Sequence, residues 1–574
     1  MHNSDIAKIF NDIALYLEIE KIPFKPRAYE KAAQTIDDLQ EELQDIYTQG
    51  KRAALESIPG IGKGLAEKIE ELLKTGQLIY YEELQKKMPV NIHELATIEG
   101  LGPQHIKILY EKLGVKNLRD LEKAIAAKKI SRLPGFGEQS EKNLKQGIEF
   151  VKKSHGRFLL GYAMATISSI EQRLKNLAHV QRLTIAGSVR RKKETIGDVD
   201  IIAVAKKPKT IMDSFVHMPE VIHVYAHGET KSMIKLKNGL DVDLRVIPEK
   251  SYGAALNYFT GSKAHNIALR EKAMKKELKL NEYGLFRGKK YIAGRTEEEL
   301  YTALGMQYIE PEMRENWGEI ELALQNKLPK LVPYNALRGD LQVQTDWTDG
   351  TASIEAMAKA AVKQGLEYIA ITDHTKRLTM TRGLDEKRIQ KQWKEIDRVN
   401  KRLKGATTVL KGTECDILKD GSLDLPDAIL RQLDVVGISV HSHFHLPKST
   451  QTKRIIQAMT HPSVHILFHP TGRLLHRREA YEVDMEAIIN AAKKYHVILE
   501  INASPERLDL KDEYIRKAME ANIMFSIDSD AHSPTHFTNL AYGIAQARRG
   551  WATQKNIINC LSLTELLLEL KKKQ

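Results

Sequence analysis

The sequence predicts a multidomain chain: α-helical N-terminal domains, an α/β sheet domain in the middle, and a C-terminal α/β barrel. Three observations carry this. An apolar-x-Gly-apolar-Gly motif occurs in three copies, at 58–62, 98–102 and 133–137, each leading into a helical pattern. A mid-chain run, Gly187-Ser188-Val189-Arg190-Arg191 through Gly197-Asp198-Val199-Asp200, joins two strand-like segments. In the last third, strand-like runs ending in His, Glu or Asp alternate with helical stretches.

At 574 residues one core cannot serve the whole chain. Lys plus Arg number 88 against 75 acids, a net charge of +13, which favours a polyanionic partner over an acidic small molecule. The two cysteines, Cys415 and Cys560, offer no disulfide framework and fit a reducing cytoplasm. Neither a signal peptide nor an apolar run of about 18 residues is visible, so no membrane partner is expected.

Residues 1–85 read as helices, with Ile6, Ile9, Phe10, Ile13 and Leu17 at helical spacing. The first motif copy places Gly60 and Gly62 before a helix. Residues 86–150 hold the other two copies, with Gly100, Gly102, Gly135 and Gly137. Such glycines let backbone N–H groups face a DNA phosphate at a helix N-terminus, positioning a duplex without reading its sequence. A single copy is an ordinary turn; three with the same apolar flanks predict helix-hairpin-helix units. Their unequal spacing argues against a solenoid.

Residues 151–250 carry the central motif. An apolar run at 183–186 predicts a strand, and Gly187-Ser188 a tight turn able to face an anion. Arg190 and Arg191 suit phosphate oxygens, and Gly197 admits close backbone approach. Asp198 and Asp200 open a second strand and, two apart, share a face. This describes a site for a nucleotide bound to Mg²⁺ or Mn²⁺. A third acid is expected on the hairpin around Asn238-Gly239, where Asp241 and Asp243 both qualify. Three carboxylates can hold two divalent ions. Residues 251–325 follow, and 326–338, with Pro329 and Pro333, read as a linker.

In 339–574, the runs 368–374, 409–414, 435–441, 465–470 and 523–532 end in metal-type residues. Ligands at strand C-terminal ends are the barrel active-site arrangement. His and carboxylate mixtures suit Mn, Zn or Fe.

These motifs resemble the bacterial family X DNA polymerases, related to DNA polymerase beta, with a fused PHP (polymerase and histidinol phosphatase) domain. The resemblance covers essentially the whole chain. It implies a nucleotidyltransferase palm at 151–250, a thumb at 251–325, a fingers-like region at 86–150, a 5′-phosphate and lyase-like domain at 1–85, and a PHP domain at 339–574. It implies Asp198, Asp200 and Asp243 as the metal triad, Asp243 being followed two residues later by Arg245. Gly187, Ser188, Arg191 and Gly197 match triphosphate contacts. Tyr258, Phe259 and Gly261 match the sugar-discriminating turn, and Asn266 and Arg270 the minor-groove contacts. Lys25 and Lys68 match 5′-phosphate lysines, and Lys68 falls on the Schiff-base nucleophile of the lyase members. One family lysine is replaced by Gly64.

For the PHP domain, the resemblance implies Asp349, His374, Glu414, His441, His469, Asp530 and His532 as ligands. The family's opening D-x-H-x-H becomes Asp340-Leu341-Gln342-Val343-Gln344. Two imidazoles are thus replaced by amides, so fewer than three ions and an impaired 3′–5′ exonuclease or end-processing activity are expected. The implied function is template-directed gap filling in base excision repair. The implied partners are dNTPs and gapped or nicked DNA with a 5′-phosphate, and the chain is expected to act as a monomer, cytoplasmic and nucleoid-associated. Rival readings are a PHP nuclease or phosphoesterase whose polymerase half mainly binds gapped DNA, and a DNA-end scaffold without activity. A small-molecule nucleotidyltransferase has no need of three helix-hairpin-helix units.

Overall fold

The computed structural model describes residues 1–574 except 2, 38, 40–41, 97, 99–100, 139, 143, 146–147, 149–155 and 574. The chain forms two compact units, 1–155 with 474–479, and 156–473 with 480–574. Among the described residues no helix is long and apolar enough to cross a membrane.

The first unit is helical. Asn3–Ile19 buries Ile6, Phe10, Ile13 and Leu17 in its core. The described residues of the three glycine motifs make matching hydrogen bonds. In each, the residue after the first glycine donates its N–H three residues back: Ile61 to Ile58 at 3.0 Å, Leu101 to Ile98 at 3.0 Å and Phe136 to Leu133 at 3.1 Å. The second glycine of each then accepts the first helical bond, from Ala66, Ile106 and Glu141, at 3.0 Å in all three. Pro103 sits at the first helical position, where its missing donor costs nothing. Helices Lys63–Thr75 and Pro103–Leu113 end at Gly76 and Gly114 in the left-handed conformation that closes helices cheaply. Gly100 lies outside the described residues.

The second unit contains a five-stranded mixed sheet, a three-stranded antiparallel sheet and a seven-stranded parallel sheet. In the five-stranded sheet, Asp198–Ala205 lies between Val180–Ile185, antiparallel, and Asp241–Val246, parallel. The hairpin expected at Asn238-Gly239 joins Lys231–Leu236 to Asp241–Val246, and Gly239 adopts φ +89°. Alternation of Val242, Leu244 and Val246 inward sends Asp241, Asp243 and Arg245 to the other face. The Gly187-Ser188 turn is a helical turn, Gly187–Arg190, rather than a plain bend.

Arg190, expected at phosphate, is committed elsewhere. It pairs with buried Glu297 at 2.6 Å and donates to Thr260 Oγ1 at 2.8 Å. Glu297 also takes fully buried Arg314 at 2.6 Å. Burial opposes its charge, but the two guanidiniums hold the carboxyl down at about 2. This network ties the five-stranded sheet to the segment after it.

The seven parallel strands run in sequence order from Gly339–Val343 to Phe525–Asp528, and a parallel bridge from Val343 to Ala531 nearly closes them into a barrel. Their residues are buried apart from half-buried Thr408 and Lys411 on strand Thr408–Asp416, as strands covered on both faces require. Part of the stretch read as a linker, 326–338, is packed. Leu331 and Val332 are buried, Leu331 bridges Thr553, and Val332 N–H donates to Ala552 at 3.0 Å. Proline breaks its periodicity, not its burial.

Candidate functional site

The central cleft forms where the Gly187 turn meets the start of Asp198–Ala205. Its volume is about 660 Å³. Gly187, Ser188, Arg191, Gly197, Asp198, Asp200, Tyr258, Phe259, Gly261, Asn266 and Arg270 all line it, with Arg157, Lys193 and Lys263. Asp243 does not line it directly, but it is the register partner of Asp200, as Asp241 is of Asp198. The two candidates for the third acid are now distinguishable. Asp241 is held by Lys235 at 3.0 Å and Tyr225 at 3.3 Å. Asp243 has Arg245 at 4.0 Å and faces the Asp200 side.

Gly187 is required here. It adopts φ +62°, and a Cβ would lie 2.5 Å from Asp200 Oδ2. Asp200 is pushed up to about 7, first by burial, then by the charges of Asp198 and Asp243. Asp243 is raised for the same leading reason. Crowded carboxylates that resist ionisation are what a divalent cation would relieve. The Ser188 hydroxyl is buried at the turn without a hydrogen-bond partner. Arg191 is engaged: it donates to the Thr260 carbonyl and to Glu315 Oε1 at 3.2 Å.

Tyr258 and Phe259 form the last turn of helix Tyr252–Thr260, edge to face at 5.1 Å. The Arg245 guanidinium lies 4.5 Å over the Phe259 ring. Asn266 Nδ2 donates to the Tyr258 carbonyl at 2.7 Å, and Arg270 Nε to the Asn266 carbonyl at 3.3 Å. Ser262 caps the next helix by accepting from His265 N–H at 3.2 Å. In the first unit, Lys25 is exposed at the start of helix Lys25–Asp37. Lys68 donates to the Gly64 carbonyl at 3.3 Å and sits 5.2 Å over the Tyr80 ring.

The barrel holds a second cluster. Among the described residues, two sets of three donors bring their ligand atoms within 4.8 Å of one another: Asp349, His374 and His532, and His374, Glu414 and His441. His469 Nε2 lies 2.8 Å from Glu414 Oε1, and its Nδ1 is buried without a partner. Asp530 stands 3.8 Å from His532 Nδ1 and 3.4 Å from Arg507. Burial opposes charge on His532, yet Asp349 and Asp530 push it up to about 10. Burial likewise opposes charge on His441, which Glu414 and Asp416 raise to about 9. Asp349, despite burial, is held well below the usual carboxylate range by His374 and His532. This paired set fits divalent ions, which would take the place of the imidazolium protons.

Gln342 and Gln344 point to different partners. Gln344 Nε2 donates to Glu414 Oε2 at 2.9 Å, while its Oε1 is buried and unpartnered. Gln342 Oε1 accepts from Asn502 at 3.1 Å, and Asn502 also donates to Asp530 at 3.2 Å. Two residues apart on one strand, the two amides thus end on different partners. Sequence reasoning passed over Asp416, two residues after Glu414 on one strand, and Glu500, whose Oε2 accepts from His469 N–H at 2.5 Å. The period of two on the strand carrying Glu414 was the signal for Asp416; Glu500 is placed by its contact with His469, which follows the neighbouring strand.

Family models match along the chain: a helix-hairpin-helix domain at 1–78, a SAM-like helix-hairpin-helix tandem at 92–149, the DNA polymerase beta thumb at 255–315 and a PHP domain at 340–504. A "DNA polymerase/3'-5' exonuclease PolX" of Bacillus subtilis (strain 168) is 36% identical over 577 residues, covering 100% of both chains. A "probable phosphatase" of Thermoanaerobacter sp. (strain X514) is 28% identical over 236 residues, 39% of this chain and 90% of that one. Another, of Citrobacter koseri, is 36% identical over 148 residues, 25% of this chain and 55% of that one. Matched from end to end at this identity, the chain belongs to the family X DNA polymerases with a C-terminal PHP domain.

Proposed function

We propose that the chain is a template-directed DNA polymerase that fills short gaps during base excision repair. The observation that carries this is that Asp198 and Asp200 line the cleft beneath the Gly187 turn, with Asp243 in register with Asp200 on the adjacent strand. Asp198, Asp200 and Asp243 would hold Mg²⁺ or Mn²⁺. Such ions, when bound, acidify the primer hydroxyl and neutralise the triphosphate. Ser188 and Arg191 take triphosphate oxygens, the Tyr258-Phe259 turn sits against the incoming sugar, and Asn266 and Arg270 reach the minor groove. Glycines of the three hairpins hold the phosphate backbone, and Lys25 and Lys68 the 5′-phosphate. Lys68 is the candidate lyase nucleophile. The proposed domains are 1–85, 86–150, 151–250, 251–325 and 339–574. The protein acts as a monomer on DNA in the cytoplasm.

The barrel residues Asp349, His374, Glu414, His441, His469, Asp530 and His532 would hold fewer than three Mn, Zn or Fe ions. Gln344 turns its NH₂ to Glu414, because an oxygen there would meet a carboxylate oxygen. Gln342 spends its oxygen on Asn502. Neither amide replaces an imidazole ligand, so 3′–5′ processing is weak. Primer extension on gapped duplexes, with and without a 5′-phosphate, tests the reading. Extension favoured by the 5′-phosphate supports it, and binding without incorporation supports the scaffold reading.

A further inference from the structure

A barrel side chain, Arg549, touches Arg191, one of the residues that line the central cleft. Arg549 ends the barrel helix Leu540–Arg549 and is 1% exposed. Its Nη1 donates to the Arg191 backbone oxygen at 2.8 Å and to Glu315 Oε1 at 3.1 Å. Its Nη2 pairs with Asp512, which anchors it in the barrel. The same Glu315 oxygen takes Arg191 Nε at 3.2 Å and has Lys193 Nζ at 3.8 Å. One carboxylate oxygen is therefore shared by a guanidinium of the barrel and the guanidinium that lines the nucleotide cleft.

We propose that Arg549 is a positioning residue for nucleotide binding: it shares Glu315 with Arg191 and so weakens the hold of Glu315 on Arg191, which lets the Arg191 fork turn to triphosphate oxygens. The inference rests on the reading of Arg191 as a triphosphate contact. Glu315 and a triphosphate compete for one planar guanidinium, whose donors are fixed in direction. With Arg549 in place, part of the Glu315 charge is already answered. Without it, a poorly solvated carboxylate turns fully to Arg191 and Lys193, since leaving it unpaired is costlier. Arg191 also loses the bond on its own carbonyl, which fixes the turn that starts at Gly187. The barrel thereby contributes to nucleotide affinity irrespective of its own metal chemistry.

Steady-state single-nucleotide gap filling with the full chain tests this. Arg549→Ala is expected to raise the dNTP KM about tenfold, the loss of one hydrogen bond to a charged group, with kcat within about twofold. Adding Glu315→Gln to that variant removes the competitor and is expected to restore KM. A purely structural role for Arg549 does not produce that reversal. Arg549→Lys keeps the charge beside Asp512 and carries the same test if the alanine variant does not fold; one ammonium cannot serve all three acceptors, and an intermediate KM is expected. An unchanged KM in a folded variant, or a rise that Glu315→Gln leaves in place, overturns the coupling. Arg191→Ala separates the two claims: a raised KM there with a flat Arg549→Ala overturns only the coupling, and a flat Arg191→Ala overturns both.

Discussion

Asp200 and Asp243 stand level on adjacent parallel strands, so two carboxylates share one face of the sheet. Burial and this like charge hold Asp200 up at about 7.

That pair makes stability depend on pH. With its folded pKa raised from 3.8 to about 7, Asp200 binds more protons folded than unfolded across that window. Stability is therefore lost as pH rises from about 4 to about 7. Asp200→Asn removes the loss. In chelator, its gain in melting temperature over the native protein should be near zero at the acid end and largest above neutrality. An equal gain at both ends would show that Asp200 does not carry the raised pKa.

The 5′-phosphate end should be read by Lys25 and Lys68. A 5′-phosphate in a short gap is expected to tighten binding, and Lys25→Ala to flatten the salt dependence by a slope of about 0.9. Equal binding of both gaps argues against this role. Borohydride should trap an abasic-site adduct that Lys68→Ala loses; an adduct that survives points to another lysine.

Sugar selection is assigned to the end of helix Tyr252–Thr260. Arg245 is stacked on Phe259 and Tyr258 packs edge-on, which holds this turn in place. The native protein should prefer dNTP to rNTP, and Tyr258→Ala should relax that preference. Equal use of both sugars by the native protein contradicts it.

Much of this was legible in the sequence because it rests on local rules. Gly187, Asp198 and Asp200 follow from turn and strand periodicity, and the three hairpins from a repeated five-residue core. What sequence could not show depends on distant partners. Arg190 and Arg191 read alike, yet Glu297 captures Arg190 for a buried network while Arg191 stays at the cleft. Asp241 and Asp243 share a face, and Lys235 and Tyr225 on other strands separate them. Gln342 and Gln344 also share a face by period, but their long side chains end on Asn502 and Glu414.

The glutamines predict a weak nuclease. Native 3′–5′ activity should be low even with excess Mn²⁺. Gln342→His with Gln344→His should raise both bound metal and degradation, since imidazole is a stronger donor to such ions than a neutral amide. Brisk native degradation that Glu414→Ala or His441→Ala abolishes would show that glutamine suffices.

Single-nucleotide incorporation into gapped DNA by the native protein and by Asp200→Ala, with Mg²⁺ and DNA affinity followed in parallel, tests the central claim. The native protein should add the templated nucleotide. Asp200→Ala should slow addition by more than about 10³-fold, ~4 kcal/mol of transition-state stabilisation, with DNA affinity nearly intact because the phosphate contacts lie elsewhere. Incorporation by Asp200→Ala at the native rate would contradict the assignment of the site.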